Sequence, residues 1–175
     1  MRIATFATAV GVALAGTIAI AQTVTYDFDR GTNFGKYKTY AWTRGTELAD
    51  QLNHARVVRS IESQLATKGL SKVDANGAPD LLIAYHTSFE KNLQINAWSS
   101  GYGAPRFGGL RSGTATTQEI VTGTLVVDLL DAGSKHIVWR GLASGELDPA
   151  AKPEKRDKNL NKATEKLFKN FPPKS

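Results

Sequence analysis

The sequence predicts an α+β fold, a two-layer sandwich in which a mainly antiparallel sheet carries two helices packed on one face. Residues 121–147 alternate apolar and polar side chains around a polar turn at Gly133, which is typical of a long β-hairpin. Two further segments repeat apolar residues at the spacing of a helix. Successive strands with short links favour antiparallel pairing. Two helices are enough to cover only one face of such a sheet.

The first half of the chain is predicted to form two strands, a helix and a short third strand. Residues 24–29 and 37–42 alternate apolar and polar side chains and are separated by turn residues. A helix is expected from Thr46, as its N-cap, to Gly69, a glycine suited to a left-handed C-cap. Residues 70–73 add the short strand. The apolar positions that define the helix are Leu48, Leu52, Ala55, Val58, Ile61 and Leu65.

The second half adds a buried strand, the long hairpin and a final helix. Residues 80–89 contain an apolar run from Leu81 to Tyr85, so this strand is expected to be covered on both faces at its start. Residues 98–113 are rich in glycine and have neither helical nor strand periodicity, which predicts a flexible loop, either a mobile connection or the tip of a hairpin. The last helix is expected to follow residue 153 and to stop before two prolines, with a buried stripe of Leu160, Ala163, Leu167 and Phe171.

Residues 1–21 are predicted to be a signal peptide. Arg2 precedes an uncharged apolar run, and Ala19-Ile20-Ala21 supplies the small residues that a signal peptidase requires before Gln22. The alternative is an uncleaved anchor, since the run is nearly long enough to span a bilayer. Cleavage between Ala21 and Gln22 leaves one domain, residues 22–175, in the periplasm or outside the cell.

Cysteine content and charge restrict the classes of protein and partner. The chain has no cysteine, which excludes a thiol nucleophile and a lipid attached through a lipobox cysteine. Its formal net charge is +6 and its pI about 9.6. Because much of the excess lies in the C-terminal helix, solubility is the expected role and peripheral contact with an anionic membrane the alternative; no nucleic-acid partner is expected. The cations concerned are Lys152, Lys155, Arg156, Lys158, Lys162, Lys166, Lys169 and Lys174.

No pattern of a catalytic or metal site is evident. His54, His86 and His136 lack the spacing of metal ligands. Asp27 and Asp29 are paired carboxylates, but strand alternation directs both to solvent. No Gly-x-Ser-x-Gly motif occurs, and the glycine-rich loop lacks the ending of a phosphate loop. The sequence therefore predicts no catalytic residue, no metal and no cofactor.

The flexible loop carries the candidate binding residues. Aromatic and arginine side chains are over-represented where proteins bind partners, glycans or membrane interfaces. The alternative is that these rings fold back over the open sheet face. The candidates are Trp98, Tyr102, Arg106, Phe107 and Arg111.

Short segments along the chain also occur together in one known family. They are Tyr26-Asp27-x-Asp29, Phe34-x-x-Tyr37-Lys38-Thr39-Tyr40-Ala41-Trp42, Leu65-Ala66-x-Lys68-Gly69-Leu70, Pro79-Asp80-Leu81-Leu82-Ile83-Ala84-Tyr85-His86, Gly123-Thr124-Leu125-Val126-Val127-Asp128, Val138-Trp139-Arg140-Gly141 and Phe171-Pro172. In this combination the chain resembles the DUF4136 family of bacterial cell-envelope proteins. The resemblance implies an exported, often lipid-anchored α+β domain with no assigned reaction. The chain departs from the lipoprotein pattern, since Ala21-Gln22 stands where the lipobox cysteine would be.

Three functions are compatible with these observations. The preferred one is a non-catalytic envelope module that binds a protein, lipid or glycan, or has a structural role. The second is a periplasmic carrier that encloses a small apolar ligand or lipid. The third is a hydrolase, which would require His86 or His136 to lie within hydrogen-bond reach of both a hydroxyl and a carboxylate in the fold.

Overall fold

The computed structural model describes residues 23–74, 76–98 and 114–174, and the side chains of these residues apart from 94–98 and 114–118. The elements are β1 (Thr23–Phe28), a 3-10 turn (Phe34–Lys36), β2 (Thr39–Trp42), α1 (Gln51–Thr67), β3 (Ser71–Lys72), β4 (Leu81–Trp98), β5 (Thr114–Asp131), β6 (Ile137–Leu147) and α2 (Pro153–Phe168).

The strands form one sheet in the order β1-β6-β5-β4-β2-β3. β1, β6, β5 and β4 pair antiparallel, whereas β2 runs parallel to both of its neighbours. The predicted α+β fold with a mainly antiparallel sheet and two helices is confirmed. β5 and β6 form the predicted hairpin, and β4 takes an interior position next to it.

The hydrophobic core lies between the two helices and one face of the sheet, which we call the inner face. β4 contributes Leu81, Ile83 and Tyr85 to this face, and their neighbours in register on β5 are Asp131, Leu129 and Val127. Strand alternation places every second residue there. Val57, Ile61 and Leu65 of α1 and Leu167 and Phe168 of α2 pack against the face.

Trp139 is the largest fully buried side chain, and its packing explains a glycine two residues along β6. Its ring stacks on Phe168 at 5.2 Å between centroids and meets Phe171 edge-on at 5.5 Å. A Cβ atom on Gly141 would lie 2.4 Å from the Trp139 ring and 2.7 Å from Leu167. The chain therefore requires a residue without a side chain at position 141.

The start of α1 differs from the sequence prediction. Thr46 is not the N-cap; it forms a parallel bridge with His86 on β4. Asp50 caps the helix instead, because its carboxylate accepts the Leu52 and Asn53 N–H groups at 2.9 and 3.3 Å. The end is as predicted, with Gly69 in the left-handed conformation at φ 79°.

The β4–β5 pair extends further than predicted. Its register continues from Leu81 opposite Asp131 to Trp98 opposite Thr114, so the segment expected to be a loop begins where a strand is still paired. β6 accompanies β5 only as far as Val121, opposite Leu147. β4 and β5 therefore continue as a pair beyond the end of β6.

α1 and α2 lie side by side and run in the same direction. Arg56 pairs with Asp157 at 3.0 Å, and one turn later the Ser60 hydroxyl lies 2.7 Å from the Thr164 hydroxyl. Both helices therefore begin at the same end of the molecule. This shared end is where the candidate site lies.

Candidate functional site

An apolar groove of about 460 Å³ lies between the beginnings of the two helices and the inner face of the sheet. We call it the inner-face groove. Val57 of α1 and Leu160 of α2 form its sides, and Leu125 of β5 lies on its floor. Its other apolar lining residues are Leu48, Phe89, Val121, Ala143, Leu147, Ala151 and Ala163.

Two glycines on the inner face lie at the floor of the groove, and one of them makes room for a leucine side chain. Gly123 stands opposite Phe89 on β4 and opposite Gly145 on β6. The Leu147 side chain lies over Gly123, where a Cβ atom would come within 2.6 Å of it. Phe89 and Leu147 are 53% and 42% exposed, so apolar surface continues from the groove to its mouth.

Charged and polar groups line the rim of the groove. Arg156 donates to the Ala151 and Pro149 carbonyl oxygens, which fixes its guanidinium at the start of α2. Asp148 accepts from Lys155 at 3.1 Å, and this hydrogen bond is the main reason why the pKa of Asp148 lies below its usual value. An apolar interior with a few fixed polar groups at the rim is typical of small-molecule sites.

A second cluster lies on the opposite, outer face of the sheet. Asp128 is buried and accepts two hydrogen bonds from Arg140, at 2.6 Å each, which raises the pKa of the guanidinium. His86 Nε2 lies 3.5 Å from the same carboxylate. On its other side, His86 Nδ1 lies 3.0 Å from both the backbone N–H and the hydroxyl of Thr46.

This cluster brings a histidine near a hydroxyl and a carboxylate, which is the arrangement that a hydrolase would need. The Nδ1 lone pair, however, accepts the Thr46 N–H, so it is engaged by a backbone donor. The Asp128 carboxylate is likewise held by Arg140 in a bidentate pair. The contacts of both groups are therefore those of a structural link between β4, β5 and β6.

His54 forms a similar link on the inner side. Its Nδ1 lies 2.6 Å from the Tyr85 hydroxyl, and that hydroxyl accepts the Leu48 N–H at 3.3 Å. Because the phenol oxygen accepts from Leu48, its own proton can be donated to His54. The pair fixes Leu48, which lines the inner-face groove.

The other predicted site residues are distributed as follows. Tyr102, Arg106, Phe107 and Arg111 lie outside the described residues, and Trp98 is described only as the backbone end of β4. Asp27 and Asp29 are exposed, as expected, but only Asp27 lies in the edge strand β1. Asp29 lies in the following turn, where its carboxylate accepts from the Gly31 N–H and the Thr32 hydroxyl. Over the part of the chain that the structure describes, no three His, Asp or Glu side chains are grouped to hold a metal ion.

Sequence reasoning did not find the inner-face groove. Its lining residues lie on β4, β5, β6 and both helices, and each one alone appears as an ordinary core position. Gly123 and Gly145 both lie in the segment 121–147 that was predicted to form the hairpin. Their meaning depends on strand register, which brings them opposite each other.

None of the described helices is both long and apolar enough to cross a bilayer.

Comparison with solved structures shows the same fold in several bacterial proteins. A DUF4136 family protein from Bacteroides thetaiotaomicron is similar, with a TM-score of 0.52 and 13% identity over 86% of this chain and 96% of that chain. A PDZ domain protein from Parabacteroides distasonis has a TM-score of 0.55 and 16% identity. The match covers 88% of this chain and 37% of the length of the PDZ domain protein. PelC from Paraburkholderia phytofirmans, a dodecamer, has a TM-score of 0.51 and 8% identity over 85% of this chain and 95% of that chain.

Sequence comparison identifies the family of the chain. No curated protein sequence matches the chain. The family model of DUF4136, a domain of unknown function, matches residues 24–173, which is nearly the whole of the described structure. The chain therefore belongs to the DUF4136 family.

Proposed function

We propose that this protein is a non-catalytic binding module of the bacterial cell envelope that holds the acyl chain of a lipid in the inner-face groove. The observation that carries the proposal is the groove itself, an apolar space of about 460 Å³ with charged groups at its rim. Its volume falls within the range of roughly 300 to 1,000 Å³ that small-molecule sites occupy.

The lining chemistry favours an acyl chain over a polar metabolite. Most side chains along the sides and floor are aliphatic or aromatic, although Thr87 and Asn159 also line the groove, and each buried methylene group contributes about 0.8 kcal/mol. Arg156 and Asn53 lie at the rim, where a lipid head group would remain in contact with water. A polar metabolite would leave its hydrogen-bonding groups without partners on the floor, at a cost of about 1–3 kcal/mol for each one.

The envelope location in this proposal is supported by the predicted signal peptide and by the resemblance of the chain to a family of exported proteins. Residues 1–21 have the charge, apolar run and small residues of a cleaved leader. The absence of a cysteine at Ala21-Gln22 favours a soluble periplasmic or secreted form, which suits a carrier that moves lipid between surfaces.

The non-catalytic part of the proposal is supported by the contacts around His86. A general base needs a free lone pair directed at the hydroxyl that it deprotonates. The His86 Nδ1 lone pair already accepts the Thr46 N–H, at 3.0 Å. We expect the protein to hydrolyse p-nitrophenyl esters no faster than the buffer does. Hydrolysis that disappears in Thr46→Val but persists in the control variant Thr67→Val would contradict the non-catalytic part of the proposal.

Binding is tested by titrating the purified mature protein with a fluorescent fatty acid. Ala163 lines the groove on α2, and Ala163→Phe places a ring inside the groove. The matched control is Ala66→Phe, the same substitution at an exposed position of α1. We expect saturable binding by the wild type and by Ala66→Phe, and at least about tenfold weaker binding by Ala163→Phe, since about 1.4 kcal/mol of lost contact is a factor of ten.

Two outcomes would overturn the groove as the binding site. One is the absence of saturable binding by the wild-type protein. The other is equal affinity in the wild type and in Ala163→Phe, provided that circular dichroism and thermal unfolding show the variant to be folded. Loss of binding in Ala66→Phe would likewise show that the effect does not come from filling the groove.

A further inference from the structure

We propose that the outer surface of the helix layer docks on an anionic lipid bilayer through a lysine stripe on α2. The lysine stripe consists of Lys155, Lys158, Lys162, Lys166 and Lys169, all exposed. Successive members are three or four residues apart, so they lie above one another on one side of the helix. Thr164 and Leu167, which are fully buried, lie on the opposite side. The lysine stripe therefore points away from the sheet.

The positive charge of the lysine stripe is largely uncompensated. Within the described ranges only Lys155 has a carboxylate within ion-pair distance, Asp148 at 3.1 Å. Glu154 and Glu165 lie beside the lysine stripe on the same helix, and neither forms an ion pair with it. Elsewhere on the surface, exposed lysines such as Lys36, Lys72 and Lys91 are paired with acids. Unpaired lysines also occur elsewhere, such as Lys38 and Lys135, but the lysine stripe places four of them in a row along one side of a helix.

α1 adds an exposed leucine and a further cation to the same surface. Leu52 is 71% exposed and lies one turn before Arg56, which contacts α2 through Asp157. Arg59 is exposed two turns further along α1, on the same side as Leu52. Cations together with an exposed large apolar side chain are typical of surfaces that lie at a bilayer interface.

The dimensions of the lysine stripe fit a flat anionic surface. Fourteen residues of helix separate Lys155 from Lys169, which corresponds to roughly 21 Å at about 1.5 Å for each residue. Each lysine near an anionic leaflet strengthens binding by about fivefold. The docking does not rest on the proposed function.

The test is sedimentation with vesicles, using two charge-matched triple variants of the full mature protein. The stripe variant carries Lys158→Gln, Lys162→Gln and Lys166→Gln. The control variant carries Lys38→Gln, Lys91→Gln and Lys135→Gln, three exposed lysines outside the helix layer, and loses the same charge. The vesicles are phosphatidylcholine alone or phosphatidylcholine with about 30% phosphatidylglycerol, at ionic strengths from about 0.1 M to about 0.5 M.

We expect the wild type and the control variant to bind only the anionic vesicles, less at high salt, and the stripe variant to bind at least about tenfold more weakly. The proposal is overturned if neither vesicle is bound, if both triple variants lose binding equally, or if a soluble anionic polysaccharide competes as well as vesicles do. Ala163→Phe should keep full vesicle binding, so failure of the groove and failure of the docking surface give different results.

Discussion

At the scale of single residues, Asp131 joins the β5–β6 turn to the start of β2. One carboxylate oxygen accepts from Gly133 and Ser134 in the turn, while the other accepts from Lys36 at 3.0 Å and from the Tyr37 hydroxyl at 2.9 Å. These contacts, led by the Ser134 N–H, hold the pKa of Asp131 well below its usual value. All of them favour the ionised carboxylate.

Asp131→Asn should therefore destabilise the protein at neutral pH. Because the folded-state pKa is lowered, the wild-type carboxylate contributes stability above its unfolded pKa of about 3.9 and loses it as the pH falls toward the folded value. Urea unfolding should show a lower midpoint for the variant at neutral pH and converging curves progressively below about pH 4. Asp27→Asn, at the exposed edge strand, is the control. A constant difference at all pH values would show that the charge is not responsible.

Gly141→Ala tests the packing of Trp139 over β6. The added Cβ atom would lie 2.4 Å from the Trp139 ring, so the ring must move against Phe168. Overpacking of this kind costs about 1–3 kcal/mol in the free energy of unfolding. Gly31→Ala, whose Cβ atom would come no closer than 3.4 Å to Asp29, should change it by less than about 0.5 kcal/mol. Equal stability of Gly141→Ala and the wild type would contradict this packing.

At the scale of elements, α1 and α2 are joined by a buried hydroxyl pair. Ser60 and Thr164 lie 2.7 Å apart, and Ser60 also donates to Asn161 at 2.8 Å. Thr164→Val should cost about 1 kcal/mol, and so should Ser60→Ala. Because both remove the same hydrogen bond, the double variant should cost less than their sum in a double-mutant cycle. Strict additivity would mean that the hydroxyls do not interact, and Thr67→Val at an exposed position is the control.

Helices and strands in which apolar residues recur at one regular spacing were predictable from sequence, whereas the residues at which they begin were not. The buried side of α2 and the alternation of β5 and β6 follow from helical and strand geometry alone. The predicted apolar side of α1 is confirmed at Ile61 and Leu65. It is wrong at Leu52 and Ala55, which are exposed, because the helix turns Val57 and Ser60 toward the core instead.

Thr46 and Asp50 are both good N-cap residues, and the choice depends on where the segment that follows β2 stops pairing with β4. A tertiary contact decides it, since the His86 ring accepts the Thr46 N–H and holds that segment extended.

Some sequence motifs have a structural explanation that only the fold reveals. The Pro79-Asp80 pair precedes β4, and the Asp80 carboxylate accepts the Lys38 and Thr39 N–H groups at 2.8 and 2.9 Å. These hydrogen bonds fix β2 beside β4 and lower the pKa of Asp80. The family resemblance thus includes residues that hold strands together, and it does not by itself mark a binding site.

At the scale of the whole molecule, the inner-face groove and the lysine stripe are both products of assembly. The groove is lined by residues of β4, β5, β6 and both helices, which only the folded chain brings together. The lysine stripe could be seen in the sequence as a cationic helix, but its lack of acidic partners depends on the neighbouring elements. The predicted loop residues 98–113 remain a separate prediction; replacing Trp98, Tyr102 and Phe107 with Ala should weaken capture of an envelope partner without unfolding the domain.

The central claim is that the inner-face groove holds lipid, and native mass spectrometry of mature protein isolated from a bacterial envelope tests it most directly. We predict that wild-type protein carries additional mass, identified after extraction as an acyl-chain lipid, and that Ala66→Phe carries the same mass. Ala163→Phe should appear as the bare polypeptide. A wild-type protein that is bare under the same gentle conditions, or a lipid retained equally by Ala163→Phe, would contradict the account.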